Sequence, residues 1–194
     1  MQETILGKFK ESAELKTAFA HKNWEKVISV IHICADTLRA GNKIMLFGNG
    51  GSAADAQHIA AEFVNRLQKK PRERPPLAAL ALTTDTSILT SISNDRDFSQ
   101  IFSRQIQALG KRGDIAWGIS TSGTSPNLIQ AVKTARGMGI TTVGLTGSGG
   151  GEMGVLVDHH LTVESNDTTR IQEVHITLSH IMCELIEEEL LSND

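Results

Sequence analysis

Long hydrophobic runs are missing from this chain. No stretch of its 194 residues approaches 18 consecutive apolar positions. A helix that spans a bilayer needs about that many, so no membrane association is expected. Concentrated charge of one sign is missing too. The net charge is −3, and the densest basic stretch, Lys69, Lys70, Arg72 and Arg74, is interrupted by Pro71 and Glu73. A nucleic-acid-binding surface needs a concentrated basic footprint, so nucleic acid is not an expected partner and this stretch reads as a solvated loop. Cysteine is scarce: Cys34 and Cys183 are the two in the chain, without a CxxC pairing. Two distant cysteines build no disulfide framework. Both sit in apolar, helix-like patterns and read as small core hydrophobes. The opening segment carries Lys8, Lys10, Glu11, Glu14 and Lys16. It lacks the uninterrupted apolar core of a secretory leader, so a cytoplasmic protein is expected. There is no internal repeat and no low-complexity segment.

What remains is ordinary globular material, 40% hydrophobic and 21% charged. A chain of this length suits one domain with a proper core. Residues 3–20 and 24–40 both read as amphipathic helices, the second with Val27, Val30, Ile31, Cys34 and Leu38 at three- and four-residue spacing. Gly41-Asn42 supplies the stop. Residues 1–42 thus form a helical arm suited to packing against partner subunits, and residues 43–194 carry everything else, effectively as one domain.

After the arm, short apolar runs alternate with helical patterns. Strands are expected at 43–47, 77–82, 114–119, 141–145 and 159–163. Helices are expected at 53–67, from 86 to about 93, at 98–110, at 126–137 and from 168 to about 191, with 146–151 as loop. Alternation of this kind predicts an α/β fold with a parallel sheet. The runs are nearly continuous in hydrophobicity, as strands covered on both faces should be.

Two loops would lie at the carboxyl ends of strands, where open α/β sheets bind ligands. The first is Gly48-Asn49-Gly50-Gly51-Ser52. Its glycines let backbone amides approach a ligand, and the following helix N-terminus favours an anion. The second is Ser120-Thr121-Ser122-Gly123-Thr124-Ser125-Pro126-Asn127. Ser125 suits an N-cap and Pro126 the first helical position. A cap needs one hydroxyl, and this loop offers five, so it reads as a neutral cradle for a phosphate. The first loop also fits G-x-G-x-x-A through Gly48, Gly50 and Ala53. A dinucleotide site needs an acidic residue about 20 positions on. Gln68, Lys69 and Lys70 stand there, so a nucleotide is not expected.

His58 and Glu62 are four apart and share a helix face. They could ligate a metal together or form a surface pair of small value, and spacing alone favours the surface pair. In the closing helix, Gln172 and His180 flank an apolar stripe of Ile171, Val174, Leu178, Ile181 and Leu185. A histidine there reads first as a satisfied core residue.

Taken together and in order, these pieces resemble the sugar isomerase (SIS) domain family, and within it the phosphoheptose isomerases. The carriers are Gly48-Asn-Gly-Gly-Ser52 followed by His58 and Glu62, then Asn94-Asp95, Ile119-Ser-Thr-Ser-Gly123 with Ser125, and Arg170-Ile-Gln-Glu173 with His180. The resemblance implies a flavodoxin-like parallel sheet flanked by helices behind the N-terminal arm, and a homotetramer. It implies isomerisation of D-sedoheptulose 7-phosphate to D-glycero-D-manno-heptose 7-phosphate, for lipopolysaccharide or other surface glycans. By the same resemblance Ser120, Thr121, Ser122 and Ser125 hold the phosphate. Asn49, Gly50, Gly51, Asn94 and Asp95 contact the sugar, with Glu62 and Gln172. One zinc ion per subunit is implied, surrounded by His58, Glu62, Gln172 and His180. Glu62 and His180 are the implied acid–base pair. Gln172 and His180 are eight apart, ~12 Å along a helix and ~80° around it, so adjacent subunits are expected to complete the site.

A relative of another class shares the fold and tetramer but binds the bacterial replication initiator and is not an enzyme. Met1-Gln2-Glu3 and Leu82-Thr83-Thr84-Asp85 are similar to it. It lacks the carboxylate matching Glu62 and the histidine matching His180. Both are present here, so the initiator is a partner only under that alternative.

Overall fold

The structure, a computed structural model, describes residues 1–67 and 74–192. The chain opens with α1 (Gln2–Arg39), then β1 (Ile44–Gly48) and α2 (Gly51–Val64). After β2 (Ala79–Ala81) come α3 (Thr86–Asp95), a 3₁₀ turn (Phe98–Gln100) and α4 (Ile101–Leu109). The second half runs β3 (Ile115–Ser120), α5 (Pro126–Gly137), β4 (Thr141–Thr146), α6 (Gly151–Leu156), β5 (His159–Thr162) and α7 (Thr168–Ser192).

The five strands are parallel in the order β2-β1-β3-β4-β5. This is the flavodoxin-like doubly wound order, as expected. Its winding reverses between β1 and β3, which makes that gap the place for a ligand. Side chains alternate between two cores. Ile44, Leu46, Ile115, Trp117, Ile119, Val143 and Leu145 face one side. There they meet Val30, Ile31 and Cys34 of α1, Ile59 and Phe63 of α2, and Val174 and Met182 of α7. Met45, Phe47 and Ala116 face the other side, against Phe102 and Ile106 of α4 and Leu128 and Val132 of α5. Both cysteines are free and buried, and burial drives the Cys34 thiol strongly upward and the Cys183 thiol to about 12.

Four expectations differ from what is found. The two amphipathic segments of the arm are one helix of 38 residues. No glycine or proline interrupts residues 20–24, and Asn23 returns its side-chain N–H to the Phe19 carbonyl, 3.1 Å away. The helix expected at 98–110 begins as the 3₁₀ turn. The 146–151 loop runs on into α6, a helix too short to show periodicity. Arg74 is not part of a solvated loop: it is 9% exposed and pairs with Glu187. Its guanidinium also donates to the carbonyls of Phe63 (2.8 Å), Glu62 (2.8 Å) and Pro75 (3.1 Å). A cation at the C-terminal end of α2 satisfies carbonyls that have no partner within the helix. Lys69, Lys70 and Arg72, and Gln68 beside them, lie outside the described residues.

Candidate active site

The two expected loops stand side by side at the switch point, because Gly48 of β1 is in register with Ile119 of β3. A Cβ on Gly48 would lie 2.7 Å from the Ser52 carbonyl oxygen and 2.9 Å from that of Ile119. Only glycine lets the start of α2 come this close to both strands. The loops are tied together by their amides. Asn49 Nδ2 donates to Asn127 Oδ1 at 2.9 Å, and Asn127 Nδ2 donates to Asn49 Oδ1 at 2.8 Å. Asn127 was not singled out from the sequence; nothing local distinguishes it from any polar residue in a first helical turn.

The second loop folds on its own hydroxyls. Ser120 Oγ accepts from the Gly123 amide at 3.0 Å, and Ser122 Oγ accepts from the Thr124 amide and hydroxyl at 3.3 and 3.1 Å. These bonds consume hydroxyl lone pairs and leave the O–H groups of Ser120 and Ser122 free to donate. Ser125 occupies the N-cap position with Pro126 behind it, yet its hydroxyl makes no capping bond. Thr121 and Ser122 open onto a polar pocket shared with Ser148, Ser165, Asn166 and Thr168. Neither α2 nor α5 carries an acidic residue in its first turn. Both helix N-termini therefore keep their partial positive charge. Hydroxyl donors and two uncompensated helix ends suit an anion.

Further along α2, His58 Nε2 lies 2.8 Å from His180 Nε2 of α7 and 3.5 Å from Glu62 Oε1. The imidazole rings meet edge-on, with centroids 5.0 Å apart. The surface pair favoured by spacing is therefore incomplete as a description: a third side chain from α7 joins it. Asp55, one turn earlier on the same face, was also missed. Its Oδ2 is buried without a hydrogen-bond partner among the described residues. Burial raises its carboxyl above the usual carboxylate range, against the pull of His58 and His180. The Asp-x-x-His spacing was the available signal.

Gln172 sits elsewhere. A Cβ on Gly51 would be 2.7 Å from Gln172 Nε2, so this amide covers the first turn of α2. Gly51 and His58 are roughly 10 Å apart along the helix. One chain thus brings His58, Glu62 and His180 together, with Gln172 and Gly51 paired at the loop end. Asn94 and Asp95 are exposed at the end of α3, where Asn94 Nδ2 donates to Asp95 Oδ1 at 2.8 Å. No hydrogen bond joins them to the other candidates among the described residues. The histidine on α7 that does read as a core residue is His175. It is 1% exposed, its Nε2 is 3.2 Å from the Thr146 carbonyl oxygen, and burial holds its pKa near 4.

As a donor set, two imidazole nitrogens and a carboxylate oxygen match what zinc takes. Among the described residues, no three His, Cys, Asp or Glu side chains are already grouped as a metal cage. The chemistry of the set fits zinc, and Gln172 is the expected ligand that stands apart.

Comparison with known proteins bears on the family and the fold. The SIS domain family model matches residues 9–147. A phosphoheptose isomerase of Nitratidesulfovibrio vulgaris is 52% identical over 192 residues, covering 99% of this chain and 91% of that one. One from Aquifex aeolicus is 52% identical over 188 residues, covering 97% of each. The solved structure of a phosphoheptose isomerase from Neisseria gonorrhoeae superposes with a TM-score of 0.89 at 42% identity, covering 96% of this chain and 98% of that one. The chain belongs to the SIS domain family. Within that family it belongs with the phosphoheptose isomerases.

Proposed function

We propose that this protein is an aldose–ketose isomerase that converts D-sedoheptulose 7-phosphate to D-glycero-D-manno-heptose 7-phosphate. The observation that carries the reading is the approach of Glu62, His58 and His180 beside two anion-suited loops at the switch point of the sheet. Relatives matched over nearly the whole chain bear the name of that activity.

A ketose becomes an aldose by moving a proton between adjacent carbons through an enediol, which needs a base, an acid and stabilisation of the developing oxyanion. The hydroxyls of Ser120, Thr121, Ser122 and Ser125 would hold the phosphate. Asn49, Gly50, Gly51 and Gln172 would align the sugar. Glu62 would remove the C1 proton, and His180 would handle the proton on the other side. His58, Glu62, Gln172 and His180 would hold one zinc ion per subunit. Bound zinc would polarise the carbonyl and hydroxyl oxygens.

The subunits would assemble as a homotetramer. In support, Trp24 and Ile28 of α1 and Ile181 and Leu185 of α7 form an exposed apolar face, and Ile5, Leu6 and Phe9 are exposed on the overhanging start of α1. Patches of this kind mark interaction surfaces. The separation of Gln172, which lies against Gly51, from the contact of His58 with His180 supports the reading that adjacent subunits complete each site. We place the protein in the cytoplasm and its product in heptose supply for lipopolysaccharide or other surface glycans. No helix among the described residues is long and apolar enough to cross a membrane.

The test is direct. Purified, zinc-loaded protein is incubated with sedoheptulose 7-phosphate and the aldose product is followed by NMR. Turnover is expected in the native protein. Glu62→Gln and His180→Gln should each lose on the order of 10²- to 10⁴-fold in kcat, the usual contribution of a positioned acid or base. Full activity in either variant would overturn its assignment.

A further inference from the structure

The Asn49–Asn127 contact has features that a surface pairing lacks. It closes a ring of two reciprocal amide hydrogen bonds, at 2.9 and 2.8 Å. Asn127 is 2% exposed, and its Oδ1 also accepts from the Leu128 amide at 3.1 Å. The Leu128 N–H shares itself between Asn127 Oδ1 and the Ser125 carbonyl, also at 3.1 Å, and this contact favours one orientation of the ring. A backbone N–H can only donate, so the atom facing it is Oδ1, and the opposite atom is Nδ2. Asn49 must then turn its own oxygen towards Asn127. Neither amide can flip without setting two donors or two acceptors against each other in a buried place, which costs more than losing a bond.

The position of the ring gives it a consequence. Asn49 belongs to the loop after β1, and Asn127 is the second residue of α5, directly behind the Ser120–Ser125 loop. Neighbouring strands fix the bases of these loops, but each loop rises beyond its strand, and the amide ring links the two by side chains. A sugar phosphate must touch both loops at once: phosphate on one, sugar oxygens on the other. A ligand that touches two sites gains from each only if their separation is held at the right value.

We propose that Asn127 is a positioning residue for the isomerase. It latches the hydroxyl loop to the glycine loop and so sets the distance between the phosphate-binding and sugar-binding halves of the site. Asn49 spends one N–H and one lone pair of its amide on the latch and retains the other of each for substrate. The proposal rests on the isomerase reading and deepens it.

The latch separates ligands by how many loops they touch. Inorganic phosphate engages one loop, and sedoheptulose 7-phosphate engages both. In Asn127→Ala, the KM for the sugar phosphate should rise on the order of tenfold, while competitive inhibition by inorganic phosphate should stay within about twofold. Asn127→Asp, which keeps the side-chain shape and the bond from the Leu128 amide but sets an oxygen against Asn49 Oδ1, should reproduce the same split, and it serves if Asn127→Ala folds poorly. Asn49→Ala also loses a sugar contact, so it should be the poorer single variant, and adding Asn127→Ala to it should cost little more, because a broken latch cannot be broken twice. A role confined to stability predicts lower unfolding temperatures with both constants unchanged, and that result overturns the latch. Equal loss of sugar-phosphate and phosphate binding also overturns it, since it assigns Asn127 to the phosphate loop alone. Native protein that does not turn over the ketose phosphate overturns the isomerase reading itself, which the variant comparison within an active protein cannot mimic.

Discussion

Replacing Arg74 by methionine would remove a cation whose side chain is 3% exposed and strand the carboxylate of Glu187, which is 7% exposed. Among the described residues, Glu187 would keep the bond from the Leu67 amide at 3.2 Å. The carbonyls of Glu62, Phe63 and Pro75 would lose the donors that Arg74 supplies. Removing one member of a buried pair leaves a charge without compensation and costs about 3–5 kcal/mol. For a chain of this size each kcal/mol lowers the unfolding temperature by about 2–4 °C, so Arg74→Met should lose roughly 6–20 °C. Glu187→Leu should be comparable, because it strands the guanidinium. The informative protein is the double variant, Arg74→Met with Glu187→Leu. It buries no lone charge, and apolar replacement of a buried pair is often close to neutral. What persists is the loss of the bonds to Glu62, Phe63, Pro75 and Leu67, about 0.5–1.5 kcal/mol each. The double variant should therefore be destabilised by much less than the sum of the two single variants. Urea unfolding suits the measurement, because urea does not screen charge, and protein concentration must be held fixed if subunits associate. If the double variant is as unstable as the sum of the two single ones, the pair is not coupled and the account of Arg74 is wrong.

Two further predictions follow from single sites. The folded-state pKa of His175, near 4, lies below the ordinary imidazole value of about 6.5. The unfolded chain therefore takes up a proton there that the folded chain refuses. Its contribution is fully present above about pH 6.5 and is lost as pH falls towards 4, amounting to about 2–3 kcal/mol between pH 7 and pH 4.5. His175→Leu should flatten the acid limb of a stability-against-pH curve by that amount, with His160, which burial and Lys26 also lower, titrating in both proteins. An unchanged slope would mean that His175 is protonated in the fold. Gly123 has φ +66° and a Cβ there would lie 2.0 Å from the Gly150 carbonyl oxygen. Gly123→Ala should displace the hydroxyl loop, cost at least about 1–3 kcal/mol in backbone strain, and weaken inhibition by inorganic phosphate. Native phosphate affinity in that variant would separate the loop from the anion site.

The fold was legible wherever local pattern decides structure. Strands β1, β3, β4 and β5 fall within a residue or two of the apolar runs that announced them, because a strand covered on both faces has no polar position to blur its ends. The long helix α7 followed from its stripe and β2 from the run after Pro75 and Pro76. The misses share a cause. α6 is six residues long, too short for periodicity to register and opened by glycines that read as loop. The break expected within α1 had no breaker behind it, only a change of texture that Asn23 absorbs by bonding to its own helix. Arg74 looked like one more charge in a polar stretch, since nothing near it in sequence announces Glu187, 113 residues away.

At the site the division is the same. Glycines and hydroxyls crowd into loops for reasons of backbone conformation and donor supply, and both reasons are local, so the amino-acid sequence alone marks the two loops and the strand ends that carry them. The meeting of His58 with His180, 122 residues apart, and of Asn49 with Asn127, 78 apart, is decided elsewhere. It depends on how α2 lies against α7 and on which strand neighbours which. Those arrangements come from burying two cores on opposite faces of one sheet, a property of the whole chain that no short segment contains.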